Sequence, residues 1–234
     1  MPSPLTTLTL FGLAPGNVRW GLAQMGTSPP QLQRVPGLRF FKLFGSGKGQ
    51  GFGLTPNFHR YGMMAVWESE EAAAAFFGGH ALYQIYERRC QEIWTAYLAP
   101  LRSHGLWDGV NPFEYQAEAM AKDSADGPVA VLTRASIRLL KAPRFWKFVP
   151  QTSTALAEAS GLLASIGLGE LPLVRQATFS LWESAEAMQQ YAYRGPLHRE
   201  VIQRTRAEQW YKEELFARFR VLKTEGTWNG QRLL

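Results

Sequence analysis

The segment Val66-Trp67-Glu68-Ser69-Glu70-Glu71-Ala72 returns as Leu181-Trp182-Glu183-Ser184-Ala185-Glu186-Ala187. The tail Gly105-Leu106-Trp107-Asp108-Gly109 returns as Gly226-Thr227-Trp228-Asn229-Gly230. A repeat of this length within 234 residues constrains the fold more than any single motif, because the folding unit is then half the chain. What both halves share reads as scaffold. What one half carries alone is a candidate for function.

Residues 6–13, 37–44 and 60–67 have the β-rich, alternating composition of strands. Ser69 reads as the cap of a helix over 70–77, and a longer helical pattern runs over 81–98. The second half repeats this order. It has strands over 129–137, 161–166 and 176–182, and a helix opening at Pro143. Ser184 caps a short helix, and a long helix is expected over 196–219 with a last segment at 218–223. The small, polar stretch 115–128, closing on Gly127-Pro128, is the linker between halves 1–114 and 129–234. Each half is thus β-α-β-β-α plus a final segment, the ferredoxin-like element order. A half of this size exposes a sheet face it cannot bury alone, so one fused α+β unit is expected rather than two independent domains.

Composition supports a packed core, with 46% apolar and 13% aromatic residues. The single cysteine, Cys90, excludes an internal disulfide and any multi-cysteine metal site. The net charge of +6 is dispersed over segments that also carry glutamates, as in Arg206-Ala207-Glu208 and Lys212-Glu213-Glu214. That pattern argues against nucleic acid and leaves weak attraction to an anionic membrane surface open. No run of about 18 apolar residues occurs, so a soluble, cytoplasmic protein is expected, with the inner-membrane periphery left open.

Among candidate chemistries, the run Gly45-x-Gly47-x-Gly49-x-Gly51-x-Gly53 lacks the spacing and the following helix of a phosphate cradle. It reads as a mobile loop over a pocket or a plain β–β connection. The four histidines, His59, His80, His104 and His198, show no H-E-x-x-H spacing, and no G-x-S-x-G elbow is present. Aligning the expected long helices on Trp94 and Trp210 sets His198 opposite Leu82. An imidazole then stands in one half where the other has an apolar residue.

Arg39-Phe40-Phe41-Lys42-Leu43-Phe44-Gly45-Ser46-Gly47, then Gly51-Phe52 and Pro56-Asn57, resembles the signature of spheroidene monooxygenases. So do Gly195-Pro196-x-His198 and the run from Arg206 to Val221. The resemblance spans nearly the whole chain. It implies two tandem ferredoxin-like halves fused into a dimeric α+β barrel, binding one haem b and oxidising a carotenoid at C2 of its end group. His198 is then the proximal iron ligand, with Arg39 or Lys42 as the group that polarises bound oxygen. Phe44, Gly45, Gly47, Met63 and Trp146 are implied around the cofactor, with Phe41 and Trp182 as cavity wall or simple core. His59 departs from the family pattern; facing the pocket, it would be a distal acid or second ligand and would favour dehydratase or peroxidase chemistry. A non-catalytic haem or ligand carrier is the third reading. The expected partners are an apolar small molecule and an electron donor such as a ferredoxin, with the protein a monomer or homodimer.

Overall fold

The computed structural model describes residues 4–48, 55–113, 127–171, 173–194, 204–205 and 207–234. The N-terminal half contains β1 (Leu5–Leu13), α1 (Val18–Thr27), α2 (Pro29–Leu32), β2 (Leu38–Gly47), β3 (Pro56–Trp67), α3 (Glu70–Gly79), α4 (Ala81–Arg89) and β4 (Cys90–Gly105). The C-terminal half contains β5 (Val129–Ile137), a 3-10 turn (Leu139–Lys141), α5 (Ala142–Ala157), β6 (Leu162–Leu171), β7 (Arg175–Trp182), α6 (Ala185–Arg194) and β8 (Tyr211–Gly226). The strand orders are β2-β3-β1-β4 and β6-β7-β5-β8. The linker at 115–128 lies almost wholly outside the described residues.

The expected long helices are corrected. The helix over 81–98 stops at Arg89 and gives way to the 16-residue strand β4; the segment 211–226 is likewise a strand, not a helix end. Leu215, Ala217 and Phe219 are buried and alternate with less buried neighbours, a period of two that outweighs the helical spacing of the flanking Glu and Lys. The alignment of the halves changes with it. Leu10 pairs with Gly62 and Trp94, while Arg134 pairs with Ala177 and Leu215. Trp94 therefore corresponds to Leu215 rather than Trp210, and the pairing of His198 with Leu82 falls away.

The repeated Trp-Glu-Ser segment is structural in both halves. Trp67 Nε1 donates to Thr7 Oγ1 at 2.9 Å, and Trp182 Nε1 to Ser180 Oγ at 2.9 Å. Ser69 and Ser184 accept the amides of Ala72 and Ala187, so each caps its helix. Glu68 N–H donates to the Gly37 carbonyl and Glu183 N–H to that of Gly161, at 2.8 and 2.9 Å. The Gly-x-Trp-x-Gly tails close two further turns. Gly105 and Gly226 adopt φ of +87° and +81°, and a Cβ there would stand 2.1 Å from the Glu214 carbonyl oxygen and 1.9 Å from that of Ile93. Only glycine satisfies both demands.

The chain divides into two compact units that are not the sequence halves. The first comprises 1–46, 57–99 and 221–234; the second comprises 47–56 and 100–220. In the first, helices α1–α4 cover one sheet face through a continuous core containing Phe11, Met63, Trp67, Phe76, Tyr83 and Tyr86. In the second, the helix-side core is split. One cluster gathers Val129, Val131, Leu156, Trp182 and Met188, and another gathers Ile137, Ala142, Phe145, Val149 and Trp210.

Candidate functional site

Strand register allows the helix-side faces of the two sheets to be compared position by position. The pairs Phe11–Tyr61 and Thr9–Met63 of the first unit correspond to Ala135–Gln176 and Thr133–Thr178 of the second. Ala65 corresponds to Ser180, and Tyr97 to Arg218. On the neighbouring strand, Phe41 and Leu43 pack on the first unit's core, whereas β6 sets Ser165 and Gly167 opposite Ser180 and Thr178. Phe11, Tyr61 and Met63 are replaced by Ala135, Gln176 and Thr178, and β6 brings Ser165 and Gly167 where β2 brings Phe41 and Leu43, whereas on β4 and β8 Thr95 is replaced by the larger Phe216. An aromatic side chain carries about 150–250 Å² of surface, so the exchanges on β5, β6 and β7 remove much of what fills the face there. The small-residue floor lies between the two core clusters of the second unit.

The floor carries polar atoms in need of partners. Ser165 Oγ, Thr178 Oγ1 and Arg218 Nε are buried and have no hydrogen-bond partner among the described residues. Buried polar groups of folded proteins are otherwise almost always paired, so these atoms, on β6, β7 and β8, are available to a ligand's polar groups; the Tyr61 hydroxyl of the first unit is likewise without a partner among the described residues. At one flank Trp182 packs on Tyr191 with ring centroids 5.4 Å apart, and burial pushes the Tyr191 phenol up. At the other, Phe148 packs on Trp210 at 5.6 Å and holds the Arg204 guanidinium 5.1 Å above its ring. The His104 imidazole stacks on Phe216 at 5.3 Å, on the same sheet face. The arrangement suits a flat, largely apolar molecule with an anionic edge: small residues below, aromatic groups at the sides and a guanidinium beside it.

The residues singled out from sequence are not brought together here. Arg39 is exposed and stands 3.6 Å from Glu68 in a surface ion pair. Lys42 lies over the Phe40 ring at 5.4 Å, on the β2 face opposite that of Phe41 and Leu43. Phe44 shares the Lys42 face by alternation and is fully buried. Gly45 and Gly47 belong to β2 itself, so the glycine run begins as strand; Gly49, Gly51 and Gly53 lie outside the described residues. His59 is exposed on β3 and turned by its amide's bond to Asn57 Oδ1 at 3.0 Å. Met63 sits in the first unit's core beneath the helices. Trp146, on α5, packs beside Phe145 and donates to the Leu173 carbonyl at 3.1 Å. His198 lies outside the described residues. Among the described residues no group of three His, Cys, Asp or Glu side chains is placed to hold a metal ion.

One cluster had only a faint signal in the sequence. Arg134 is fully buried on the opposite face of the second unit's sheet. Its guanidinium meets Glu170 at 3.2 Å, Asp108 at 3.3 Å and Glu213, with the Trp107 ring 5.7 Å away. Burial pushes the Glu213 carboxyl up. The amides of Gly109 and Asp108 and the Arg134 guanidinium outweigh that and hold it below the usual carboxylate range. The corresponding residue of the first half is Leu10, so a lone arginine at an inward position of an apolar strand was the available sign.

No protein-family model matches the chain. It is 40% identical over 228 residues to the spheroidene monooxygenase of Cereibacter sphaeroides, covering 96% of this chain and 69% of that protein. It is 38% identical over 229 residues to the spheroidene monooxygenase of Rhodobacter capsulatus, covering 97% and 94%. Among solved structures, an aldoxime dehydratase in complex with butyraldoxime superposes with a TM-score of 0.62 at 9% identity, over 93% of this chain and 79% of that one. A second aldoxime dehydratase gives 0.51 at 11% identity, over 93% and 81%. At such identities the likeness concerns the fold alone, and it agrees with the α+β class of tandem ferredoxin-like halves, the dimeric α+β barrel class, expected from sequence.

Proposed function

The chain belongs to the spheroidene monooxygenase family of oxidising enzymes, and from that premise we propose that it is a haem-dependent oxygenase introducing oxygen at C2 of a carotenoid end group. The observation that carries this reading is the second unit's small-residue floor, where the first unit's counterpart is filled by Phe11, Phe41, Leu43 and Met63.

The floor suits haem b. Gly167 and Ser165 admit a flat ring where Leu43 and Phe41 would not. Arg218 supplies a guanidinium for a carboxylate edge, and the unpartnered Thr178 and Ser165 hydroxyls supply hydrogen bonds. The family resemblance gives the iron to His198. When bound, haem supplies one-electron and oxygen chemistry that no side chain provides. The chain's own work is to orient the ring and to keep water from the reacting carbon with the Trp182–Tyr191 and Phe148–Trp210 walls. Each hydroxylation consumes O₂, two electrons and two protons and releases water, so an external donor of ferredoxin type is part of the proposal. A pocket-facing His59 would favour dehydratase or peroxidase chemistry; that side chain is exposed on the first unit's sheet and does not supply that support.

Absorption and turnover test the reading. Protein reconstituted with haem is expected to show a Soret band that His198→Ala abolishes, and the Ser165→Phe/Thr178→Met double variant is expected to bind haem at least ten-fold more weakly. With a reductant and O₂, spheroidene is expected to gain a keto oxygen. A protein that never takes up haem, or that does so equally in both variants, sinks the proposal.

A further inference from the structure

One corner of the second unit is apolar, cationic and outward-facing. Leu139 and Leu140, in the 3-10 turn before α5, are 72% and 92% exposed. Leu171, the last residue of β6, and Leu173, in the turn that follows, are 50% and 51% exposed. The two turns are fastened side by side. Ile137 N–H donates to the Val174 carbonyl at 2.7 Å, and the Trp146 indole donates to that of Leu173 at 3.1 Å. Scattered exposed leucines are ordinary; four on adjoining turns form a patch. Leu173 adopts φ of +65°, a conformation in which glycine or asparagine is at ease and leucine is not. Backbone strain of this kind at an exposed tip points to a use for the side chain.

Charge frames the leucines. The segment 138–148 contains Arg138, Lys141, Arg144 and Lys147 and no acidic residue. Arg144 is held by Glu208 at 2.7 Å, and Arg138 Nε donates to the Tyr211 carbonyl at 3.3 Å. The other half serves as control: its β1–α1 turn, residues 14–17, reads Ala-Pro-Gly-Asn, with neither a leucine nor a cation. The exposed leucine pair and its cations thus have no counterpart in the first half's β1–α1 turn, and α5 leads from the patch to the small-residue floor, since its Phe145 and Val149 belong to a core cluster flanking that floor.

We propose that the Leu139–Leu140 and Leu171–Leu173 turns form a docking surface for an anionic lipid bilayer. The leucines enter the headgroup–acyl boundary, and the cations of 138–147 meet lipid phosphates. Partial insertion of apolar side chains with surface electrostatics gives reversible attachment, and no helix among the described residues is long and apolar enough to cross a membrane. Only the purpose of docking rests on the oxidation reading: a carotenoid dissolves in lipid, and an enzyme held at the bilayer can collect it there.

Vesicle flotation tests docking without any turnover, so its failure and the failure of the oxygenase reading are separable. The full chain is mixed with vesicles of phosphatidylcholine, or of phosphatidylcholine with an equal amount of phosphatidylglycerol. Binding to the anionic vesicles is expected, falling steeply with added salt. Leu139→Ser/Leu140→Ser is expected to weaken it at least ten-fold, and Arg138→Gln and Lys147→Gln by roughly five-fold each. Leu22→Ser, a half-exposed leucine on α1, is expected to change nothing. Circular dichroism melts, expected to be unchanged, show that the variants fold. Absence of binding, equal binding by the double variant, or insensitivity to salt overturns the proposal. So does loss of self-association in the double variant without vesicle binding, which would give the patch to a second copy of the chain.

Discussion

Replacing Thr178 with valine should strengthen the empty protein and weaken the loaded one. Thr178 Oγ1 is buried without a partner among the described residues. A buried polar group left unpaired costs about 1–3 kcal/mol. Valine keeps the shape and removes the hydroxyl, so ligand-free Thr178→Val should be more stable by about 1 kcal/mol or more. For a chain of this size each such increment moves the melting temperature by roughly 2–4 °C. With the ligand present the sign reverses. A hydrogen bond from the hydroxyl to the ligand contributes about 0.5–1.5 kcal/mol, so affinity should fall about three- to ten-fold. Differential scanning calorimetry on ligand-free protein gives the first quantity and a haem titration the second. Ser165→Ala, opposite Ser180 on the adjacent strand, should follow the same pattern. If ligand-free Thr178→Val is less stable than the parent, the hydroxyl serves the fold, and the assignment of a ligand edge to this floor is wrong.

Two further outcomes follow from the scaffold. Gly105→Ala and Gly226→Ala, whose new methyl would meet a carbonyl oxygen at about 2 Å, should each cost more than 3 kcal/mol in urea denaturation. Gly109→Ala and Gly230→Ala, at φ of +84° and +74° in open space, should cost only about 1–2 kcal/mol; equal losses across the four would refute the steric account. Arg134→Leu leaves Glu170, Glu213 and Asp108 without their shared cation and should cost about 3–5 kcal/mol at pH 7. Because Glu213 titrates below its ordinary 4.5 when folded, its contribution is complete above about pH 4.5 and is lost as pH falls through the folded value. The Arg134→Leu penalty should therefore shrink at pH 3, as read from urea midpoints at the two pH values.

Much of the scaffold was legible in sequence because its signals are local. Ser69 and Ser184 cap helices as expected, and the Trp-Glu-Ser repeat marks strand ends in both halves. In β8, Glu, Lys and Arg at helical spacing overlie the period-two burial of Leu215, Ala217 and Phe219, and pairing with β5 decides for the strand; in β4 the apolar spacing of Leu82, Ile85, Tyr86, Ile93 and Tyr97 reads as one long helix, and pairing with β1 decides for a strand from Cys90. The floor was not legible at all. Thr178, Gly167 and Ser165 are unremarkable residues until register sets them against Met63, Leu43 and Phe41. The glycine run is the more conspicuous motif, and it begins as ordinary strand.

The crossing of tails between the compact units bears on how the protein is made. Glu92 receives the Gly230 amide at 2.7 Å and the Thr227 hydroxyl at 3.1 Å, and Trp228 covers Trp94 with ring centroids 4.8 Å apart. Residues 221–234 are thus part of the first unit, although they emerge from the ribosome long after Glu92. At about 5–20 residues per second, the ~130 residues separating Glu92 from this tail take roughly 7–30 s to translate. Through that interval Trp94 lacks its Trp228 cover, so these contacts of the first unit cannot close until the tail has been made. A chaperone that shields the unfinished sheet is expected to raise the yield.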